Sequence, residues 1–242
     1  MLQGLYSAAA GMTAQQTRMD AVSGDVANAN TPGYRRERVA FRDLLPVRDG
    51  VPGVEVSSGA AVRGIGRSSL AGALRETGRA LDVAITGSGF LQVERPGGGT
   101  ALVRSGALAV DGRGRLTTAT GELLAGVRPV PAGASAERLR IDPDGTVSTD
   151  DGRRLGRLRL VDVAAPGQLQ PIGDGLAVAT AGSGPLRSAT GARLVQGSLE
   201  TSNVDLGDAM VDLIESQRAF SMASRAVQMQ DQMLEIANGV KR

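Results

Sequence analysis

Two heptad rows, one at each end of the chain, constrain the fold more than any other feature. Leu5, Met12, Met19 and Val26 recur every seven residues. Ala8, Val22 and Ala29 fall three places after members of that row, with Gln15 the polar exception. The far end repeats the design over a longer span. Leu206, Leu213, Phe220, Val227 and Leu234 are spaced by seven, with Ala209, Ala223 and Ala237 three places on and Ser216 and Gln230 between them. A sustained 3.5-residue period is a coiled-coil seam rather than the wider stripe of an ordinary amphipathic helix. Each row alone is half of a coiled coil, so the spacing predicts two long helices, over 2–29 and 204–238, that pair with each other. Small residues at the second seam position permit close approach. Ser202 and Asn203 are the expected N-caps of the second helix. Acidic Asp205, Asp208 and Asp212 near its start and basic Lys241 and Arg242 at its end complement the helix dipole, with Gly239 the expected stop.

The chain between the helices is a different polymer. Residues 46–80 hold seven Gly and two Pro without periodicity and read as an extended Gly/Arg-rich connector. Residues 81–203 hold 21 Gly and many short apolar runs, among them 83–85, 90–93, 100–103, 158–161 and 176–179. Turn signals separate the runs: Gly97-Gly98-Gly99, Asp111-Gly112-Arg113-Gly114, Asp142-Pro143-Asp144-Gly145 and Asp151-Gly152. This is the pattern of an all-β domain, a sandwich or open barrel. The expected fold class is therefore mixed α and β: long N- and C-terminal helices paired as a coiled coil, with an inserted Gly-rich all-β domain. The expected boundaries are a discontinuous helical domain at 1–45 and 200–242, a connector at 46–80 and the β domain at 81–199.

Composition removes most enzyme chemistry. Neither Cys nor His occurs, which excludes disulfides, thiol catalysis, histidine triads and His- or Cys-ligated metal. Lys occurs once, at Lys241, which excludes a Walker-type phosphate loop. No catalytic, cofactor-binding or metal residue is therefore expected, and no cofactor. The aromatics are Tyr6, Tyr34, Phe41, Phe90 and Phe220, so any core is built from Ala, Val and Leu. The net charge of +2 is a weak nucleic-acid footprint. No run of 18 apolar residues exists, so no membrane insertion is expected. The N-terminus lacks the pattern of a cleavable secretory signal. Gly87-Ser88-Gly89 lacks the third glycine of a dinucleotide loop, and Asp142-Pro143-Asp144-Gly145 lacks the closing Glu of a calcium loop; both read as turns. Arg35-Arg36-Glu37-Arg38 reads as a solvated charged face.

One string is more specific. Asn28-Ala29-Asn30-Thr31-Pro32-Gly33-Tyr34-Arg35-Arg36 resembles the signature that ends the first helix of bacterial flagellar rod and hook proteins. Leu81-Asp82-Val83-Ala84-Ile85-Thr86-Gly87-Ser88-Gly89-Phe90 is similar to the opening of that family's β domain. Gly197-Ser198-Leu199-Glu200-Thr201-Ser202-Asn203-Val204-Asp205-Leu206 resembles its approach to the C-terminal helix. Ile214-Glu215-Ser216-Gln217-Arg218-Ala219-Phe220 and Asp231-Gln232-Met233-Leu234 match inside that helix. Ser23-Gly24-Asp25 departs from the pair of Asn usual at that place. The length suits the rod members better than the longer hook protein.

The resemblance implies a non-enzymatic structural subunit of the flagellar basal-body rod. It would polymerise into a hollow helical drive shaft that transmits torque towards the hook. Its implied partners are itself, other rod subunits, hook-side proteins and the flagellar type III export apparatus, and its implied location is the flagellar basal body, exported to the periplasm or cell-wall region. The heptad residues Leu5, Met12, Met19, Val26, Leu206, Leu213, Phe220, Val227 and Leu234 become the expected assembly interface. Asn28, Thr31, Gly33 and Tyr34 become the family motif, and Phe41 with Leu45 a candidate export signal. The alternatives are an Arg-rich nucleic-acid-binding protein using residues 35–80, and a hook-like or free-standing coiled-coil scaffold.

Overall fold

A computed structural model describes residues 2–43, 47–48, 55–56, 59–95, 97–131 and 134–239; for 2–3, 47–48, 55–56, 234, 237 and 238 it describes the backbone only. The chain folds as two units. One comprises residues 1–27, 37–66 and 205–242, the other 28–36 and 67–204.

The first unit holds two long helices, α1 (Leu2–Ala27) and α2 (Leu206–Gly239). At about 1.5 Å per residue they are roughly 40 and 50 Å long. They pack against each other. Gly4 lies beside Gln230, and Arg18 is ion-paired with Asp212, so the two run antiparallel. The N-cap of α2 is Asp205, whose Oδ1 accepts the amides of Gly207 (2.8 Å) and Asp208 (3.2 Å). Ser202 and Asn203, expected there, are engaged elsewhere: Ser202 Oγ accepts the Val204 amide, and Asn203 holds residues 36 and 70. The helix therefore starts at the first free capping side chain after them. Lys241 and Arg242 lie outside the described residues. The strands Glu37–Asp43 and Ala60–Arg67 pair with each other.

The second unit is β. Its largest sheet runs in the order 170–173, 176–178, 100–103, 90–94, 123–124, 116–118 and 108–110, with 160–162 also pairing with 90–94 and with 187–188. All four expected turn signals connect antiparallel partners: Glu94 faces Thr100, Val110 faces Leu116, Ile141 faces Val147, and Ser148 faces Arg154. A fifth hairpin turns on Asp174 and Gly175, both at positive φ (53° and 72°). That combination matches the right-handed twist of the flanking strands and explains an Asp-Gly pair there.

Alternation along Phe90–Glu94 buries Leu91 and Val93, which face Val103 and Ala101 across the ladder. The core is Val, Leu, Ile and Ala, including Val83, Ile85, Leu108, Leu116, Val147, Leu158 and Leu194, and contains no aromatic ring. The ends of the unit close on themselves. Val83–Thr86 pairs with Arg193–Gln196, and Leu74–Glu76 pairs with Ser198–Glu200. The 46–80 stretch holds strands: besides the short pair 47–48 with 55–56, segments 60–67 and 74–76 are the longer two. The partners of these two lie far away in sequence, so no local hairpin pattern marks them.

Candidate assembly surface

The helices of the first unit bury small residues, not large ones. Ala14, Ala21, Val22 and Asp25 are buried on α1, and Ala209 and Ser216 on α2, Ser216 completely. Asp212 lies on that same face of α2 and receives Arg18 Nη2 of α1 at 2.8 Å, with Glu215 at 3.8 Å. Ser216 Oγ donates to the Asp212 carbonyl at 2.7 Å. Val22, Ala209 and Ser216 belong to the second row read from the heptad, and the larger first-row positions flank this line. Leu5, Met12, Met19, Val26, Leu213, Phe220 and Val227 are half-buried, and Leu206 is exposed. The side chain of Leu234 lies outside the described residues.

Other apolar residues of α2 face outward. Met222, Met229, Met233 and Ile236 are 56–67% exposed. With half-buried Ala226 between them they follow spacings of four, three, four and three, which is a second seam. Met222 stands two residues beyond Phe220, about 200° around the helix. Met210, Val211 and Ile214 extend apolar exposure towards the start of α2.

The family motif lies at the start of the second unit. The Thr31 amide donates to the Asn28 carbonyl at 3.0 Å and its hydroxyl to Asn28 Oδ1 at 3.1 Å, which closes the turn after α1. Gly33 has φ +71°, and a Cβ there would stand 2.7 Å from the Ser105 amide nitrogen, so only glycine fits. Its own N–H donates to the Glu200 carbonyl at 2.8 Å. Tyr34 accepts the Asn203 amide on its carbonyl, and the Arg67 guanidinium sits over its ring, 5.9 Å from the centroid. Phe41 lies in strand Glu37–Asp43, 40% exposed, and Leu45 lies outside the described residues.

Beneath the motif is a buried ionic cluster. Arg104 Nε donates to Glu200 Oε2 at 2.6 Å, and both side chains are almost fully buried. The remaining Arg104 donors reach the carbonyls of Gly89, Ile85 and Gly87. Glu200 Oε1 accepts from Arg35 Nη2 (3.4 Å) and the Gly72 amide (3.1 Å). Burial, and then the charge of Arg104, push the Arg35 guanidinium below its ordinary pKa, with Glu200 opposing. This one carboxylate joins Arg35, Gly72 and Arg104, and through Arg104 the 85–89 segment. Asn203 adds a second tie, accepting the Arg36 amide at 2.7 Å and donating to the Leu70 carbonyl at 2.8 Å.

Arg104, Glu200 and the tie made by Asn203 escape sequence reasoning, because the partners that join them across the unit lie more than 90 residues away. Asp25 is another. It is 1% exposed and accepts the Glu37 amide at 2.9 Å, at the place where the sequence departs from the family's Asn pair. Among the described residues no group of three or more acidic side chains is placed to hold a metal, and no helix is long and apolar enough to cross a membrane.

Comparison with known proteins agrees over the whole length. Residues 5–35 match the family described as flagella basal body rod protein, 84–149 the flagellar hook protein FlgE/F/G D1 domain, and 195–240 the flagellar basal body rod FlgEFG protein C-terminal. The chain is 34% identical to the flagellar basal-body rod protein FlgG of Borreliella burgdorferi, covering 100% of both chains. It is 33% identical to FlgG of Caulobacter vibrioides, over 99% of this chain and 100% of the relative, and 33% identical to FlgG of Bacillus subtilis, over 100% of both. A flagellar hook-basal body complex protein of Bacillus subtilis, FlhP, is 30% identical over 100% of both chains. These matches contain every segment described above, from the turn after α1 to the outward face of α2, and the chain belongs to the family of flagellar basal-body rod proteins.

Proposed function

We propose that this rod subunit polymerises into a hollow helical drive shaft, with α1 and α2 paired as an antiparallel coiled coil in its wall. The helical parts of 1–45 and 200–242 make the inner tube, residues 46–80 connect, and the β domain at 81–199 makes an outer layer. A heterologous contact that does not close generates a filament, and torque transmission needs many axial contacts and no catalytic group. The subunit is a structural component of the flagellar basal body, assembled with other flagellar components; contacts with its own copies, with hook-side proteins and with the export apparatus complete the proposal. Phe41 and Leu45 are the proposed export determinant.

The observation that carries this reading is the two-sided α2. One face buries Ala209 and Ser216, while Met222, Met229, Met233 and Ile236 stand exposed on another. Exposed apolar rows of this length mark interaction surfaces, and a seam at heptad spacing fits the helix of a neighbouring copy. The double substitution Met222→Glu, Met229→Glu tests it. The expected result is a soluble, folded, exported subunit that builds no rods and gives non-motile cells. Rods and motility at the wild-type level would remove this face from the assembly surface.

A further inference from the structure

Arg35, Arg67 and Arg104 line one cavity of the β unit together with the apolar side chains of Phe90, Leu102 and Leu169. Among the described residues, Glu200 is the one carboxylate paired with Arg35 and Arg104. Two of the three cations thus share one anion. Arg104 is engaged by Glu200 and three carbonyls. Arg35 donates to the Ser69 carbonyl and to Glu200, and Arg67 sits over the Tyr34 ring, but each keeps one donor unused. Nε of Arg35 and Nε of Arg67 are each buried without an acceptor. Buried N–H groups nearly always have a partner, and here two orphaned donors belong to side chains of the same cavity. Its volume of about 40 Å³ exceeds the ~10–15 Å³ that one water needs. It is far too small for a nucleotide or a sugar.

We propose that this cavity binds a carboxylate carried on a short apolar stem. Guanidinium groups match the planar two-oxygen geometry of a carboxylate. The phenyl, leucyl and prolyl surfaces of the lining, Pro166 included, suit a methyl or methylene group. An anion beside Arg35 also offsets the burial and the Arg104 charge that lower its pKa. The same chemistry has two sources: a small free carboxylate, or the Asp or Glu side chain of a neighbouring protein subunit.

Sodium acetate is the probe. Full-length protein labelled with nitrogen-15 arginine is titrated at constant ionic strength, balanced with sodium chloride, and the Nε–H resonances are followed. The expected result is a saturable shift of the Arg35 and Arg67 signals with one common midpoint, and no saturable shift at exposed arginines such as Arg140. Leu169→Phe, which fills the cavity and keeps every charge, abolishes the saturable shift, and so does Arg67→Met. Shifts that chloride alone reproduces, that grow linearly without saturation, or that survive Leu169→Phe in a folded protein overturn the proposal. Cryo-electron microscopy of isolated rods separates the sources. Density at the two Nε atoms continuous with an adjacent chain assigns a subunit carboxylate, and detached density larger than water assigns a free anion. Water alone in the rod, together with no acetate saturation in solution, refutes the site.

Discussion

Glu200→Gln removes one charge from the centre of the β unit and little else. The amide keeps the volume of the carboxylate. It offers a single acceptor oxygen where the carboxylate receives Arg104 Nε at 2.6 Å, the Gly72 amide at 3.1 Å and Arg35 Nη2 at 3.4 Å. Its NH2 group must then face either a guanidinium or the Gly72 N–H, donor against donor. Arg104, 4% exposed, is left buried without its counter-ion. Losing one partner of a buried pair costs about 3–5 kcal/mol, a large share of the ~5–15 kcal/mol that holds a typical domain. For a unit of this size the melting temperature falls by roughly 6–20 °C.

The assay is thermal and urea unfolding of the full chain, with hydrogen exchange followed on peptides covering 83–103 and 193–200. Asp142→Asn is the control. Its pair with Arg140 is exposed, 77% on the arginine side, and its loss costs no more than about 0.5 kcal/mol. A Glu200→Gln protein within 1 kcal/mol of wild type, or one no worse than Asp142→Asn, refutes the assignment of Glu200 as the tie of this region.

Four further outcomes are expected. Gly106→Ala destabilises the β unit by more than about 1–3 kcal/mol, because a Cβ there collides with the Val83 carbonyl, whose strand must shift; a melting curve like that of wild type counts against it. Acidification loosens the 141–147 hairpin: the Thr146 amide and then its hydroxyl hold the Asp144 carboxyl below the ordinary value of about 3.9, so its stabilisation is present above that value and lost as pH falls through the lower folded pKa. The Thr146 amide resonance reports this between pH 5 and 2, and Asp144→Ala removes the dependence. In dilute monomer, amides of 206–232 exchange faster than those of 83–103, because α2 buries few side chains while the strands of that stretch bury more than half of theirs; equal protection in a confirmed monomer is the adverse result. Phe220→Ala, at a half-buried position, leaves the β unit's melting unchanged and abolishes rods, scored by motility and by electron microscopy of basal bodies.

The β unit was legible where its chemistry is local. Gly97-Gly98-Gly99, Asp111 to Gly114, Asp142 to Gly145 and Asp151-Gly152 each force a reversal through backbone conformations that few other residues adopt. The strands on either side then pair with their neighbours at once. The strands at 60–67 and 74–76 carry no such signal. Leu74–Glu76 finds its partner at 198–200, and the alternation that betrays a half-buried strand is missing because its side chains are exposed. Arg104 and Glu200 are invisible for a related reason. A charged residue within a β-rich sequence reads as a surface position until its counter-ion, 96 residues away, is placed against it.

The helices failed to be fully legible for a different reason. A heptad row identifies a helix with a seam, but it does not say which of two adjacent rows meets the partner. Leu213, Phe220 and Val227 were the larger residues and so marked the row. The antiparallel contact with α1 selects the row with the smaller ones, since Ala209 and Ser216 let the two backbones approach and Arg18 reach Asp212. Once that row is turned to α1, residues two places beyond the large row are turned away from it. Those are Met222, Met229 and Ile236, and their spacing repeats the heptad. In a one-dimensional reading the second seam is indistinguishable from scatter around the first. The composition of the two rows differs in a way that fits the proposed assembly. A seam of alanine and serine is closed within one chain, where the partner is always present. A row of methionine and isoleucine supplies the exposed apolar area that the proposed assembly requires, and methionine's unbranched side chain adapts to surfaces of varied shape.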